Sequence, residues 1–542
     1  MDIIGLSLSL LPLVAVFLGI VLLKKSGSIM VVFAVLLTAF LSWAYFHTEP
    51  LVIYGGIVYG ILSSLGIALA VIFAMFMVFL MQITGALKRI SESIHNVAGT
   101  MEEKALFVGM GFGSFVTALG LVAPTLFPPL LVAMGFAPFA AVAIAVLGYD
   151  PLCSFALLSL PITLPAETAT KSFGIPVDPQ AFAMNISMFL PVVSVGFALA
   201  ILWVVGKWGA IKRSWLPAVL SGLVLSTSAL IFVYTAIIPL RVVGVAAGAL
   251  SMISLILYSR AKSFLGTSKI EKEQKVAADG SGVTKSNMSL LKAASPWIIL
   301  IGLVSVVGIP EVGAYLAGLL NPYQIIPVFA NVKYNLSVLS QAYTWIFVAS
   351  ILAIFTLGAT REQVKEALNM SVRRVPGPFI SYSLFFAMAY LMYYSGGVIA
   401  NGTFIPGPIA NPAFNMDAIL GAALAAAIGS YYAFASPFPG FIGSVVGGSE
   451  TASNVMFAKI QHVAVSETIG ADKFGVVYGA HAVAGGISSA ITPAKINNAC
   501  ATLGEGGHME SKVISINIWV ALGLTLVTSI MTYLFIMVGV GF

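Results

Sequence analysis

The sequence predicts an all-α membrane protein: about twelve transmembrane helices plus two opposed re-entrant hairpins, arranged as two inverted repeats. Three observations predict it. The 542 residues are 59% hydrophobic and only 8% charged, against roughly 45–50% and 25% in soluble domains, and mean hydropathy is +1.02. Apolar runs near the ~20 residues that cross a bilayer recur along the chain. The basic residues gather in alternate loops. With 26 Lys+Arg and 20 Asp+Glu, several soluble surfaces cannot be coated, which excludes a soluble enzyme and a disordered scaffold. The net charge of +6 is scattered between apolar runs, so no nucleic-acid partner is expected.

Met1-Asp2 has no basic flank, the run Ile3 to Leu23 is apolar, and Lys24-Lys25 follow it. The first helix is therefore expected to stay in the membrane with its C-terminal end in the cytoplasm. Passes are expected near 4–23, 29–46, 51–84, 139–160, 185–206, 215–238, 240–259, 295–310, 342–358, 377–394, 473–492 and 514–540, with 51–84 taken as one. Nineteen basic residues, at 24–25, 88–104, 207–213, 260–292 and 361–374, then share one side, and the opposite loops hold Arg241 and Lys333. The heavy side reads as cytoplasmic, which puts both termini outside a plasma-membrane protein.

The chain divides into an N-terminal transmembrane half at 1–259, a linker at 260–292 and a C-terminal half at 293–542. The linker is rich in Lys, Ser and Gly and reads as flexible and cytoplasmic. Across it lies an internal echo. Gly113-Ser114-Phe115-Val116 and Gly443-Ser444-Val445-Val446 are 330 residues apart, and Phe127 matches Phe457 at the same offset. A second echo, Leu164-Pro165-Ala166 and Thr492-Pro493-Ala494, follows in the same order.

Each first motif lies in an apolar stretch broken by small and polar residues, at 111–129 and 440–457. Unwound backbone at membrane depth survives only where protein or a water-filled cavity satisfies it. Both read as hairpins, one near 105–133 entering from the cytoplasm and one near 436–465 entering from outside. Opposed hairpins in related halves point to a transporter with its site at the repeat interface.

The second-half residues resemble the L-lactate permeases, a family of lactate/glycolate:proton symporters. The similarity is clearest in Ser436-Pro437-Phe438-Pro439-Gly440, through Gly448-Ser449-Glu450-Thr451-Ala452-Ser453-Asn454, to Phe457. It extends to Ile491-Thr492-Pro493-Ala494, Ala499-Cys500-Ala501 and Tyr394-Ser395-Gly396, and in the first half to Gly111-Phe112-Gly113-Ser114-Phe115, Ala123-Pro124 and Met134-Gly135-Phe136-Ala137-Pro138. The chain also departs from the family. No carboxylate stands near Thr117, Glu450 replaces the family's Asp, and Gly148-Tyr149-Asp150-Pro151 replaces an Asn-Thr-Ala-Pro stretch. The resemblance implies proton symport of a short monocarboxylate, a lactate- or glycolate-like 2-hydroxy acid.

Glu450 is the sharpest residue, because a carboxylate at bilayer depth is costly unless protonated, paired or functional. It is expected to carry the coupled proton; the alternative is a structural acceptor for the hairpin's N–H groups. Thr117, Thr125, Ser449, Thr451, Ser453 and Asn454 are expected to hydrogen-bond the carboxylate or its 2-hydroxyl. Lys495 either attracts the anion or snorkels to the interface. Glu167 and Lys171 have the i,i+4 spacing of a surface pair, Asp150 reads as a helix end, and His462 and His481 read as structural. Cys153 and Cys500 form no CxxC motif and read as buried apolar residues, with no disulfide and no metal site. No cofactor is expected beyond the coupling ion. Sodium coupling on the same fold is the alternative, and a channel or membrane-embedded enzyme the rivals of another class. Membrane lipid and the small carboxylate are the expected partners; oligomeric state is not legible.

Overall fold

The computed structural model describes residues 3–21, 27–95, 99–120, 123–264, 288–321, 323–503 and 507–542. Helices dominate. After α1 (Ile3–Val21) and α2 (Gly27–Ala44) comes α3 (Pro50–Ile83), a 34-residue helix roughly 50 Å long. The 51–84 run is thus one helix. Gly60 of α3 lets another helix approach: a Cβ there would lie 2.5 Å from the Ala387 backbone.

The amphipathic α4 (Ala86–His95) precedes α5 (Met101–Leu106), whose first turn is capped by the Thr100 hydroxyl accepting from Glu103 N–H. A π-helical turn, Phe107–Phe112, leads into α6 (Gly113–Ala118), and α7 (Ala123–Ala133) follows. The chain then returns to where α5 began, since a Cβ on Gly135 would lie 3.9 Å from Met101 Cε. Two ion pairs hold this base, Glu102 with Arg213 at 2.6 Å and Glu103 with Lys262 at 3.0 Å.

Next come α8 (Pro138–Leu147), an irregular stretch at 148–159, α9 (Leu160–Ser172) and α10 (Pro179–Ser187). The expected pass at 139–160 is therefore helical only in its first part. Passes 185–206 and 215–238 belong to one run of helix, α11 (Leu190–Thr235), broken at Gly206, Lys207 and Ser214. The break is a reversal. A Cβ on Gly222 would lie 2.8 Å from Val195 Cα, whereas 27 residues of straight helix would separate them by about 40 Å. The two expected passes are the two arms of this bend.

The second half starts after α12 (Leu240–Phe264) with α13 (Leu290–Val307) and α14 (Pro310–Leu319). A small antiparallel pair, β1 (Ile325–Phe329) and β2 (Val332–Asn335), precedes α15 (Ala342–Leu357). Then α16 (Arg361–Arg374), opened by a Thr360/Gln363 capping box, bends 44° into α17 (Pro376–Tyr394). Tyr394-Ser395-Gly396 ends α17, where the buried Asn415 amide donates to the Met392, Tyr393 and Ser395 carbonyls. A two-strand turn, β3 (Val398–Ala400) and β4 (Thr403–Ile405), leads to α18 (Met416–Ile428). The chain closes with α19 (Pro437–Gly447), α20 (Glu450–Thr468), α21 (Phe474–Ile487), α22 (Pro493–Ala501) and α23 (Gly507–Val538).

Among the described residues, seven helices are long and apolar enough to cross a membrane, or eight with the bent α16–α17 pair. Ile3–Gly19, Ser28–Ala44, Pro138–Leu147 and Ala342–Leu357 are shorter apolar helices. Met416–Ala435 is a candidate span absent from the twelve expected passes. Its Ala- and Gly-rich composition dilutes the hydropathy on which such reading depends. Most of the 260–292 linker lies outside the described residues.

Candidate functional site

Two helices broken in mid-course define the site. Between α8 and α9, Cys153, Leu157, Leu158 and Ser159 all take left-handed backbone, with φ of 48°, 50°, 56° and 58°. For non-glycine residues each costs of order 1–2 kcal/mol and persists only where the surroundings impose it. Side chains from elsewhere do so. Ser194 Oγ donates to the Pro151 carbonyl at 2.7 Å, and Ser159 Oγ donates to the Leu240 carbonyl at 2.8 Å. Asn454 Nδ2 donates to the Pro161 carbonyl at 3.0 Å. That carbonyl is free for a sequence reason: its helical donor would be the N–H of residue 165, and Pro165 has none.

Between α21 and α22 the chain tightens into a 3-10 turn, Ser488–Ile491. Asn517 Nδ2 donates to the Ala490 carbonyl at 3.0 Å, and Thr492 Oγ1 to the Ser488 carbonyl at 3.1 Å. The two breaks touch. Ser489 Oγ donates to Asp150 Oδ2 at 3.0 Å and accepts from Lys495 Nζ at 2.7 Å, so one hydroxyl bridges a carboxylate and an ammonium. Lys495 Nζ also sits 4.3 Å from the centre of the Tyr149 ring, a cation–π contact.

Helices α19 and α20 turn through Gly448, whose φ of +67° favours glycine. Ser449 caps α20, its hydroxyl accepting from Ala452 N–H at 3.4 Å. Glu450 is the first residue of α20 and is 5% exposed. The Ser154 hydroxyl donates to its Oε1, while Oε2 has no hydrogen-bond partner. Gly485 leaves it room, since a Cβ there would lie 3.1 Å from Glu450 Cγ and 3.7 Å from Ser444 Cβ.

The sequence echo has a packing counterpart. A Cβ on Gly113 would lie 3.4 Å from Phe127 Cε2, and one on Gly443 would lie 2.7 Å from Phe457 Cε2. Ser114 Oγ and Ser444 Oγ, the next residue in each case, are both buried without a hydrogen-bond partner. The second echo shifts: Pro493 opens α22, whereas Pro165 lies inside α9 and it is Pro161 that opens that helix.

The expected site residues sort as follows. Glu450, Ser449, Thr451, Ser453 and Asn454 are all buried in the first turns of α20. Asn454 keeps Oδ1 without a partner, and Thr117 Oγ1 at the end of α6 is likewise buried and unpartnered. The side chain of Thr125 lies outside those described. Lys495 points into the cluster rather than snorkelling. Ser453 serves as a brace, donating to the Gly440 carbonyl at 3.2 Å beside His481 Nε2 at 3.3 Å.

His481 is fully buried in a neutral chain of bonds. Tyr432 OH donates to Gln461 Oε1 at 2.7 Å, so Gln461 Nε2 supplies both the Ser436 carbonyl and His481 Nδ1, each at 2.9 Å. Nδ1 thus accepts and Nε2 carries the proton, which makes His481 a structural histidine. His462 packs edge-on against Phe474 at 5.1 Å. Glu167 and Lys171 pair at 2.6 Å with side chains 38% and 68% exposed, a surface pair. Cys153 and Cys500 are buried and form no disulfide.

Asp150 is more than a helix end: it is 5% exposed and tied to the second break through Ser489. Ser154, Ser489, Tyr149 and Ser444 are also members that sequence reasoning missed. Only Asp150-Pro151 carried a signal, a carboxylate before a helix-breaking proline in an apolar run. Both helix tips meet the 148–159 stretch, Glu450 through Ser154 and Gly120 through Leu157, 3.5 Å from where a Cβ would lie.

One prediction tests the proline argument. Asn454→Ala orphans the Pro161 carbonyl and should cost about 1–3 kcal/mol of stability. With Pro165→Ala in the same chain a backbone N–H becomes available, so the Asn454 change should cost about 1 kcal/mol less. Thermal unfolding of the four proteins in detergent measures that coupling, and additive effects refute it.

A family model described as L-lactate permease matches residues 6–539. The L-lactate permease of Bacillus subtilis is 25% identical over 520 residues, covering 88% of this chain and 86% of that protein. Glycolate permease GlcA of Escherichia coli is 23% identical, covering 98% and 96%, and the L-lactate permease of the same organism is 24% identical, covering 97% and 94%. With the match running almost from end to end over a bundle of long apolar helices, the chain belongs to the L-lactate permease family and is a multi-pass membrane transporter.

Proposed function

We propose that this chain imports a short 2-hydroxy monocarboxylate, of the lactate or glycolate class, by proton symport. The observation that carries the reading is the buried cluster of Asp150, Glu450 and Lys495, held by Ser489 and Ser154. Two carboxylates and one ammonium leave one negative charge in a setting that disfavours any net charge. A proton on Glu450 removes it. An incoming anion then meets Lys495 and the first turn of α20, where N–H groups and the helix dipole favour negative charge. Thr117, Thr125, Ser449, Thr451 and the unpartnered Asn454 Oδ1 supply hydrogen bonds to the carboxylate or 2-hydroxyl.

On this reading α5–α7 and α19–α20 are hairpins that re-enter the membrane from opposite faces, and α8–α9 and α21–α22 are the matched broken helices of two inverted repeats. The equivalent glycine–phenylalanine contacts and equivalent unpartnered serines in the two halves support it. The basic loops lie on the cytoplasmic face, with both termini outside.

Uptake into proteoliposomes tests the function. Sodium-free vesicles with an acidic exterior should accumulate L-lactate or glycolate, and collapse of the pH gradient should stop accumulation. Accumulation that needs sodium and ignores the pH gradient overturns proton coupling in favour of a sodium site built from the same oxygen-rich tips.

A further inference from the structure

A cavity of about 230 Å³ is lined by none of the Glu450, Asp150 and Lys495 cluster. Its lining includes Lys171 and Ser172 at the end of α9, Lys333 on β2, Tyr59 of α3, and Tyr393 and Tyr394 of α17. Two lysines, Lys171 and Lys333, thus share one cavity. Lys333 is exposed and enters no ion pair among the described residues. Glu167 lies alongside, already engaged with Lys171 at 2.6 Å. At the water share of ~30 Å³ per molecule, this space holds roughly seven to eight waters, enough for a hydroxy acid of six heavy atoms.

The cavity is also joined to the broken-helix site by a single element. Helix α9 carries Lys171 and Ser172 at one end, and Pro161, bonded by Asn454, at the other. Thus an anion at the mouth rests against the same helix that frames the interior cluster. Two ammonium groups over an aromatic, partly desolvated floor raise the local concentration of small anions, and hydroxyls at Ser172 and the tyrosines offer donors.

We propose that this cavity is an entry site that holds a small carboxylate at Lys333 and Lys171 before transport. The identity of that carboxylate rests on the function proposed above; the site itself does not. Lys333→Gln and Lys171→Gln should each raise KM for L-lactate uptake about three- to tenfold with kcat unchanged, and high ionic strength should shrink the difference. Glu167→Gln should move KM the other way, because it releases Lys171. If the Glu167–Lys171 pair only braces the helix, both its single variants should behave alike, and that result overturns the proposal, as does an unchanged KM in Lys333→Gln.

A second readout needs no transport. Cysteine placed at Val332, a lining residue, should react from outside several-fold faster with an anionic methanethiosulfonate reagent than with a cationic one. Added L-lactate should slow the reaction, and Lys333→Gln in that background should abolish both effects. Equal rates without protection refute the entry site even where uptake is normal. Preserved charge preference in a protein that fails to accumulate lactate refutes the transport reading instead.

Discussion

Glu450→Gln is expected to abolish proton-driven accumulation while leaving substrate exchange intact. The amide mimics the protonated acid at nearly constant shape and still offers Oε1 to the Ser154 hydroxyl. A gradient of one pH unit stores about 1.4 kcal/mol, which drives roughly tenfold accumulation in the parent protein at one proton per substrate and none in the variant. Exchange needs no net proton movement and should continue. A hairpin brace would keep part of the accumulation, because the amide retains acceptor capacity. A direct charge contact with substrate would alter both activities and tighten binding. Accumulation by the Gln variant in response to a proton gradient rules out the assigned role.

Lys495→Gln is expected to be the most destabilising polar substitution in the protein. It leaves Asp150 and Glu450 facing each other around Ser489 and Ser154 without a cation. Breaking a buried charge arrangement from one side costs about 3–5 kcal/mol, enough to lower the thermal midpoint by several degrees and to abolish uptake. Adding Asp150→Asn to the same chain should recover most of the stability, because the hydroxyl of Ser489 bonds an amide oxygen as readily as a carboxylate. Uptake should stay low in the double variant, since the ammonium that meets the anion is still missing. Full activity in Lys495→Gln would remove this residue from the site.

The membrane class was legible because spanning segments must be long and apolar, and the single-helix reading of 51–84 and the reversal near 207–214 follow from length and from lysines placed between runs. The α20 tip was legible because Gly448, Ser449 and Glu450 cannot sit inside an ordinary span. Met416–Ala435 escaped, since alanines carry little hydropathy. The 148–159 stretch escaped for a deeper reason. Its left-handed residues are Cys153, Leu157, Leu158 and Ser159, none of them glycine, so no local propensity announces the conformation. It is imposed by Ser194, Leu240, Asn454 and Glu450, contacts that sequence spacing does not reveal. Lys495 was left between two roles because its direction depends on Ser489 and Tyr149, which only folding brings near.

That dependence has a consequence for how the protein is made. Ser154 waits for a partner 296 residues later in the chain, and Asp150 for one 339 residues later. At synthesis rates of 5–20 residues per second, the delay is roughly 15–70 s. Throughout that interval Ser194 and Leu240 can already hold the Pro151 carbonyl and the Ser159 hydroxyl, but the Ser154 hydroxyl and the Asp150 carboxylate still lack these later partners. The Asp150 and Ser154 contacts of the N-terminal half are therefore completed only by the C-terminal half. The central segment of the N-terminal half must stay in contact with water or the insertion machinery until the last third of the chain emerges. The time spent waiting, rather than any single contact, sets the most vulnerable stage in the biogenesis of this transporter.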